Sequence, residues 1–220
     1  MGTALVTGAN RGIGLELVTQ LRDRGDSVVA ACRKASAELK ALGVRIEANI
    51  DVTSDSAVAT LAEHLSRTPI DLLIHNAGTL SRDHLDALDF ESIRRQFEVN
   101  TLGPLRVTAA LLGNMARGAK IAILTSRMGS IGDNTSGGYY GYRMSKTAVN
   151  MAGASLARDL KPRGIAVTLL HPGFVRTEMT GRQGNIDAKD AARDVLARID
   201  ALTLDTSGML WHASGERLPW

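Results

Sequence analysis

Short apolar runs alternate with stretches of helical length along the whole chain, and few folds accept that alternation. Residues 4–7, 27–31, 71–75, 120–125, 165–171 and 208–212 read as strands, with a weaker seventh at 44–47. Residues 12–24, 55–66, 90–115, 142–160 and 188–201 are long enough for helices. In the first of these Ile13, Leu17 and Leu21 recur every four residues and make one apolar stripe. Strands separated by helices need crossover connections, which run neighbouring strands parallel and place helices on both faces. The expected fold is therefore α/β, a doubly wound parallel sheet of about seven strands. At 220 residues, with no repeat, low-complexity tract or composition shift, residues 1–220 read as one domain. The polar, Gly-rich stretches 130–141 and 180–185 read as mobile loops, and residues 174–187 as a short loop over substrate. Pro162 and Gly164 end the fourth helix, with Lys161 and Arg163 beside its negative pole.

Charge and composition exclude several classes of function. Lys plus Arg number 26 against 23 acids, a net charge of +3, with no run of five basic residues. No aromatic platform is interleaved with the basic residues, so no nucleic-acid partner is expected. The first residues, MGTALVTGAN, are apolar only briefly and break at Gly8, unlike a signal peptide or a membrane span. The single cysteine, Cys32, leaves no internal disulfide and suits a reducing compartment, so the expectation is a cytoplasmic protein without a membrane partner. His64, His75, His84, His171 and His212 show no metal-ligand spacing, and no metal site is expected. Trp211 and Trp220 read as packing residues, and so does Cys32.

The first strand runs through Gly8, Asn10, Arg11, Gly12, Ile13 and Gly14 into the first helix. A pyrophosphate site needs this order. Glycines let the backbone turn tightly and approach the phosphates, and the helix start offers unpaired N–H groups and positive potential. A Gly-rich turn in any α/β protein is the plainer reading of the same residues. Folds that bind NAD usually place an acid at the end of strand two for the ribose 2′-hydroxyl. Residues 29–34 read VAACRK here, with no acid before Glu38. Arg33 can instead pair with a 2′-phosphate, and Arg11 can add a second positive charge; otherwise both are solvated surface charges. The expected cofactor is NADP(H), with NAD(H) admissible.

Together with His75-Asn76-Ala77-Gly78 and Tyr142-Arg143-Met144-Ser145-Lys146, the glycine loop resembles the short-chain dehydrogenase/reductase family over essentially the whole chain. The runs GGYYGYRMSK and SGERLPW look closest to its compact carbonyl-reductase-like, C-factor-like branch. The resemblance implies a Rossmann-type fold, a small carbonyl or alcohol substrate, and a homodimer or homotetramer built on the long helices. It implies that Asp51 and Val52 contact the adenine. It implies that Asn76, Ala77 and Gly78 line the cofactor, although His75 stands where the family usually has a further asparagine. Asn100 matches the helix asparagine that holds a relay water, although it can equally cap or bend its helix. Ser126, three residues before Gly129, matches the catalytic serine, with Ser130 as its competitor. Pro172, Gly173, Val175 and Thr177 match the loop beside the nicotinamide.

The residues themselves indicate the chemistry. A carbonyl that accepts hydride at carbon needs a proton at oxygen. A lysine four residues after a tyrosine lies on the same helical face, where its ammonium favours the phenolate. Tyr139 has Arg143 at that spacing and Tyr140 has Met144; only Tyr142 has a lysine, Lys146. Tyr142 is thus the expected general acid/base, tuned by Lys146, with Ser126 donating to the substrate oxygen and Asn100 in the relay. The leading expectation is an NADP(H)-dependent enzyme interconverting a ketone or aldehyde and an alcohol. The alternative is a cofactor-binding sensor or signalling protein on the same fold. The mixed loop residues Met179, Arg182, Gln183 and Asn185 name no substrate.

Overall fold

The computed structural model describes residues 2–220. The central sheet contains β1 (Thr3–Thr7), β2 (Ser27–Ala31), β3 (Arg45–Glu47), β4 (Leu72–His75), β5 (Lys120–Leu124), β6 (Ala166–His171) and β9 (Leu210–His212). Their order is β3-β2-β1-β4-β5-β6-β9, every pairing parallel. Strand order reverses between β1 and β4, which opens a crevice at the carboxyl ends of the strands. The helices are α1 (Gly12–Asp23), α2 (Ala37–Ala41), α3 (Asp55–His64), α4 (Phe90–Phe97), α5 (Gly103–Leu111), α6 (Tyr140–Leu160) and α7 (Ala188–Asp200). No helix among the described residues is long and apolar enough to cross a membrane.

The strands are apolar almost throughout because each buries both faces. Leu5, Leu73, Ile121, Ile123, Val167 and Leu169 point to one side with residues of α3, α5 and α6. Ala4, Val6, Ile74, Ala122 and Leu170 point to the other with residues of α1 and α7. Each fully buried Leu or Ile contributes about 1.5–3 kcal/mol, so two such layers hold the sheet rigid beneath the crevice. Gly153 lets α6 close on β6, since a Cβ there would lie 2.6 Å from the Leu169 side chain.

Three details depart from the sequence reading. The stretch 90–115 is not one helix: α4 and α5 are joined by a π-helical segment, Glu98–Leu102, and a 3-10 turn, Leu112–Asn114, follows. Second, α6 begins two residues before Tyr142. Third, the loop after β6 contains a small parallel sheet, β7 (Val175–Arg176) with β8 (Ile186–Asp187), closed by an Arg176–Asp187 ion pair of 2.8 Å. The Gly-rich stretch before α6 is likewise fastened. Arg143 donates to the carbonyls of Gly137 and Gly138 at 3.2 and 3.1 Å and to Ser136 Oγ at 2.8 Å.

Candidate active site

The glycine loop leaves β1 and enters α1 at the crevice. Gly8 has φ +64°, and a Cβ on it would lie 2.8 Å from the Ala77 backbone. A Cβ on Gly14 would lie 2.3 Å from the Gly8 carbonyl oxygen and 2.4 Å from Asn76 Nδ2. Asn76 holds this turn from the end of β4, donating to the Thr7 and Gly8 carbonyls at 3.1 and 2.9 Å. Thr7 Oγ1 in turn accepts the N–H groups of Asn76 and Ala77, both at 3.2 Å. No side chain caps α1, so the amides at its start remain available to an anion. A cradle this close to backbone suits a pyrophosphate.

Arg33, exposed just beyond β2, and Asp51, just beyond β3, stand near one another at the next position along the crevice. Burial acts upward on the Asp51 carboxyl, but the Thr53 N–H and hydroxyl, with the Arg33 charge, hold it below its ordinary range. Val52 is buried and packs against Gly103. Arg11 points elsewhere. Its guanidinium pairs with Glu178, tying the glycine loop to the segment after β6, where Thr177 approaches Gly12. The sequence reading gives Arg11 a share of the 2′-phosphate; in this arrangement its guanidinium meets the Glu178 carboxylate in an exposed surface pair.

The four residues read as catalytic meet at the centre of the crevice. Ser126 follows β5 and accepts the Met128 N–H at 3.1 Å, which leaves its own proton to donate. Gly129 lets this turn lie on α6, since a Cβ there would be 2.7 Å from the Lys146 backbone. The competing Ser130 likewise accepts a main-chain N–H, that of Asp133 at 3.1 Å, but it is Ser126 that hydrogen-bonds the Tyr142 phenol. Tyr142 is 8% exposed; Tyr139 and Tyr140 are only partly buried. Lys146, 5% exposed, donates through Nζ to the Leu124 carbonyl at 2.8 Å and lies 5.8 Å from the Tyr142 ring centroid. A Cβ on Gly78 would lie 3.4 Å from Asn100 Oδ1 and 3.8 Å from Lys146 Nζ, so these three residues are neighbours. Pro172, Gly173, Val175 and Thr177 follow β6, with Val175 buried in the small sheet.

Two electrostatic details differ from expectation. Burial pushes the Tyr142 phenol above its usual value, and the hydrogen bond with Ser126 opposes this only in part. Burial also lowers Lys146 to about 8. The lysine thus holds its charge less firmly than a free one, and one of its three N–H groups is directed to the Leu124 carbonyl. Asn100 sits in the π-helical segment, where both of its amide hydrogens and one lone pair of its amide oxygen are engaged. Oδ1 accepts the Thr79 N–H at 2.8 Å, while Nδ2 donates to Thr79 O at 2.9 Å and Ser145 Oγ at 3.0 Å. Ser145 and Thr79 had no sequence signal, because each acts only through a neighbour brought from elsewhere in the chain.

Comparison with known proteins agrees with this geometry. A family model described as short chain dehydrogenase matches residues 2–187. The chain is 46% identical to the 1-hydroxy-2-glutathionyl-2-methyl-3-butene dehydrogenase of Rhodococcus sp. strain AD45, over 100% of both chains. It is 44% identical to the C-signal of Myxococcus xanthus, over 72% of this chain and 98% of that one. The crystal structure of NADPH-bound carbonyl reductase from chicken fatty liver superposes with a TM-score of 0.88 at 27% identity, covering 99% of this chain and 98% of that one. Fold, glycine cradle and sequence likeness agree along nearly the whole length, and the chain belongs to the short-chain dehydrogenase family.

Proposed function

We propose that this protein is an NADP(H)-dependent oxidoreductase that interconverts a ketone or aldehyde and an alcohol, with Tyr142 as general acid/base. The observation that carries the reading is the convergence of Ser126, Tyr142, Lys146 and Asn100, all at least nine-tenths buried, beside the glycine cradle. The nicotinamide, when bound, supplies or accepts the hydride. In reduction, Tyr142 donates its proton to the developing alkoxide and Ser126 donates a hydrogen bond to the same oxygen. Burial keeps the phenol protonated until the substrate demands the proton. Lys146 lies close enough to favour the phenolate left behind, and Asn100 holds Thr79 and Ser145 in place around the site. Arg33 supplies the counter-charge for a 2′-phosphate, in keeping with the NADPH carried by the chicken reductase.

The name of the Myxococcus relative favours a second reading, a signalling protein with little turnover. One spectrophotometric screen separates the two. NADPH and NADH consumption is followed over ketones, aldehydes and quinones. The reverse reaction is followed with alcohols that include a glutathione thioether, the class named for the Rhodococcus relative. Turnover of at least one carbonyl with NADPH is expected; tight NADPH binding without turnover of any compound sinks the enzyme reading. We also propose a homo-oligomer, in which a partner covers Leu102, Met144 and Met151, all exposed on helical segments. Light scattering is expected to give at least twice 23.4 kDa at micromolar concentration; a mass near 23.4 kDa counts against it.

A further inference from the structure

A helix whose third residue is to move a proton needs a firm first turn, and α6 lacks the usual means of making one. Tyr139, which precedes it, is left-handed (φ 51°, ψ 42°), and no side chain at that position caps the helix. The caps come instead from a residue far away in sequence. Asp83 Oδ2 accepts the Gly141 N–H at 2.9 Å, and the Asp83 main-chain carbonyl accepts the Tyr139 N–H at 3.0 Å. Gly141 is the residue immediately before Tyr142.

The surroundings press the same point. Asp83 is 5% exposed, and its second oxygen, Oδ1, is buried without a partner. A buried oxygen left unpaired costs about 1–3 kcal/mol, so general stability does not account for an acid here. Gln96 lies against Gly141, where a Cβ would come within 2.5 Å of its Nε2, itself buried without a partner, and its Oε1 accepts the Ser81 N–H at 3.1 Å. The segment from Thr79 to Asp83 is therefore tied to Asn100 at one end and to the start of α6 at the other. Ser145 closes the ring. Its Oγ accepts from Asn100 Nδ2 and donates to the Tyr142 carbonyl at 2.8 Å.

We infer that Asp83 is a positioning residue for Tyr142: its buried carboxyl group caps the first turn of α6 and sets where the phenol stands over the substrate. The inference rests on Tyr142 being the proton donor proposed above. Misplacing a reacting group by about 1 Å can cost about a hundredfold in rate, so losing this cap should slow chemistry and leave cofactor binding alone.

The test compares Asp83→Ala with Asp83→Asn, whose amide oxygen can still accept from Gly141. For a carbonyl that the wild type reduces, kcat is expected to fall about ten- to hundredfold in the alanine variant. It should return to within about threefold of wild type in the asparagine variant, with the Kd for NADPH within about twofold throughout. A second readout needs no turnover. The chain has three tyrosines, so a spectrum of the NADPH complex labelled with 13Cζ-tyrosine resolves Tyr142, assigned with Tyr142→Phe. Its resonance should shift or broaden in Asp83→Ala and stay at the wild-type position in Asp83→Asn. Should Asp83→Ala not fold, Asp83→Ser, too short to reach Gly141, takes its place. An unmoved resonance with unchanged kcat overturns the inference. So does an equal loss in the alanine and asparagine variants, or a fall in NADPH affinity that tracks kcat. If the wild type reduces no carbonyl, the oxidoreductase reading fails and the tyrosine resonance alone decides the positioning role.

Discussion

Tyr142 holds its proton more tightly than a free tyrosine because burial disfavours the phenolate, and Ser126 offsets only part of that cost. A phenol of this kind is fully protonated at neutral pH but a weaker acid than a free tyrosine, so stabilisation of the phenolate by a neighbouring charge matters to turnover. Tyr142→Phe removes one hydroxyl and keeps the ring, so packing should survive. Turnover is expected to fall about 10²–10⁴-fold with NADPH affinity nearly unchanged, and retention of most activity would reject the assignment. The spacing to Lys146 was legible in the sequence. The direction of the phenol's shift was not, since it depends on how deeply the start of α6 is covered once the chain is packed. Arg33 belongs to the same scale. A charge-assisted hydrogen bond contributes about 1.5–3 kcal/mol, reduced at an exposed site by solvent and salt. Cys32→Asp with Arg33→Ser adds repulsion as it removes attraction, so the ratio of kcat/KM for NADPH over NADH should turn towards NADH. Arg11→Ala should move that ratio far less, because Arg11 is paired with Glu178. A wild type that already favours NADH contradicts the role given to Arg33.

Among the elements, the β1–α1 turn was the most legible, since strand, glycines and helix follow one another within a dozen or so residues of sequence. The structure adds the reason for Gly14. Gly14→Ala would force a methyl into the Gly8 carbonyl and the Asn76 amide. It should destabilise by about 1–3 kcal/mol and weaken NADPH binding, as read from urea unfolding and cofactor titration. Gly113→Ala is the control, since nothing lies within 4 Å of a Cβ there. It should leave stability unchanged or raise it by about 0.4–1 kcal/mol. Equal losses in the two variants would show that close approach is not what requires Gly14. The helix expected at 90–115 shows where pattern fails. A π-helical segment adds a residue to one turn without breaking the apolar stripe, so periodicity passes over it, although it carries Asn100. Residues 130–141 and 180–185 show a second kind of gap between pattern and structure. Their composition reads as loose, and composition carries neither the hydrogen bonds that Arg143 makes to the first nor the small β7–β8 sheet that flanks the second.

At the scale of the molecule, the two packed layers bury groups that respond to acid. Burial lowers His75 from 6.5 to about 3, where it bonds Thr108 Oγ1 at 2.8 Å, and lowers His171 likewise to about 3. Between pH 6.5 and 3 the unfolded chain binds these protons and the folded chain does not. Stability from each histidine is therefore complete above pH 6.5 and lost as pH falls, by up to about 1.4 kcal/mol per pH unit. His75→Asn should give a shallower fall in unfolding free energy between pH 6.5 and 5, measured in urea; an unchanged slope would show that His75 does not titrate this way. The alternation of strands and helices, the glycine turn, and Tyr142 with Lys146 can all be read along the chain before it folds. Each of these is a local pattern, written in residues one helical turn or a few positions apart. Tertiary structure decided that Arg11 faces Glu178, that Asn100 is spent on Thr79 and Ser145, and that Asp83 caps α6 across 58 positions of chain. Those pairings arise where parallel strands bring distant loops to one edge of the sheet, and no spacing along the chain encodes which side chains then meet.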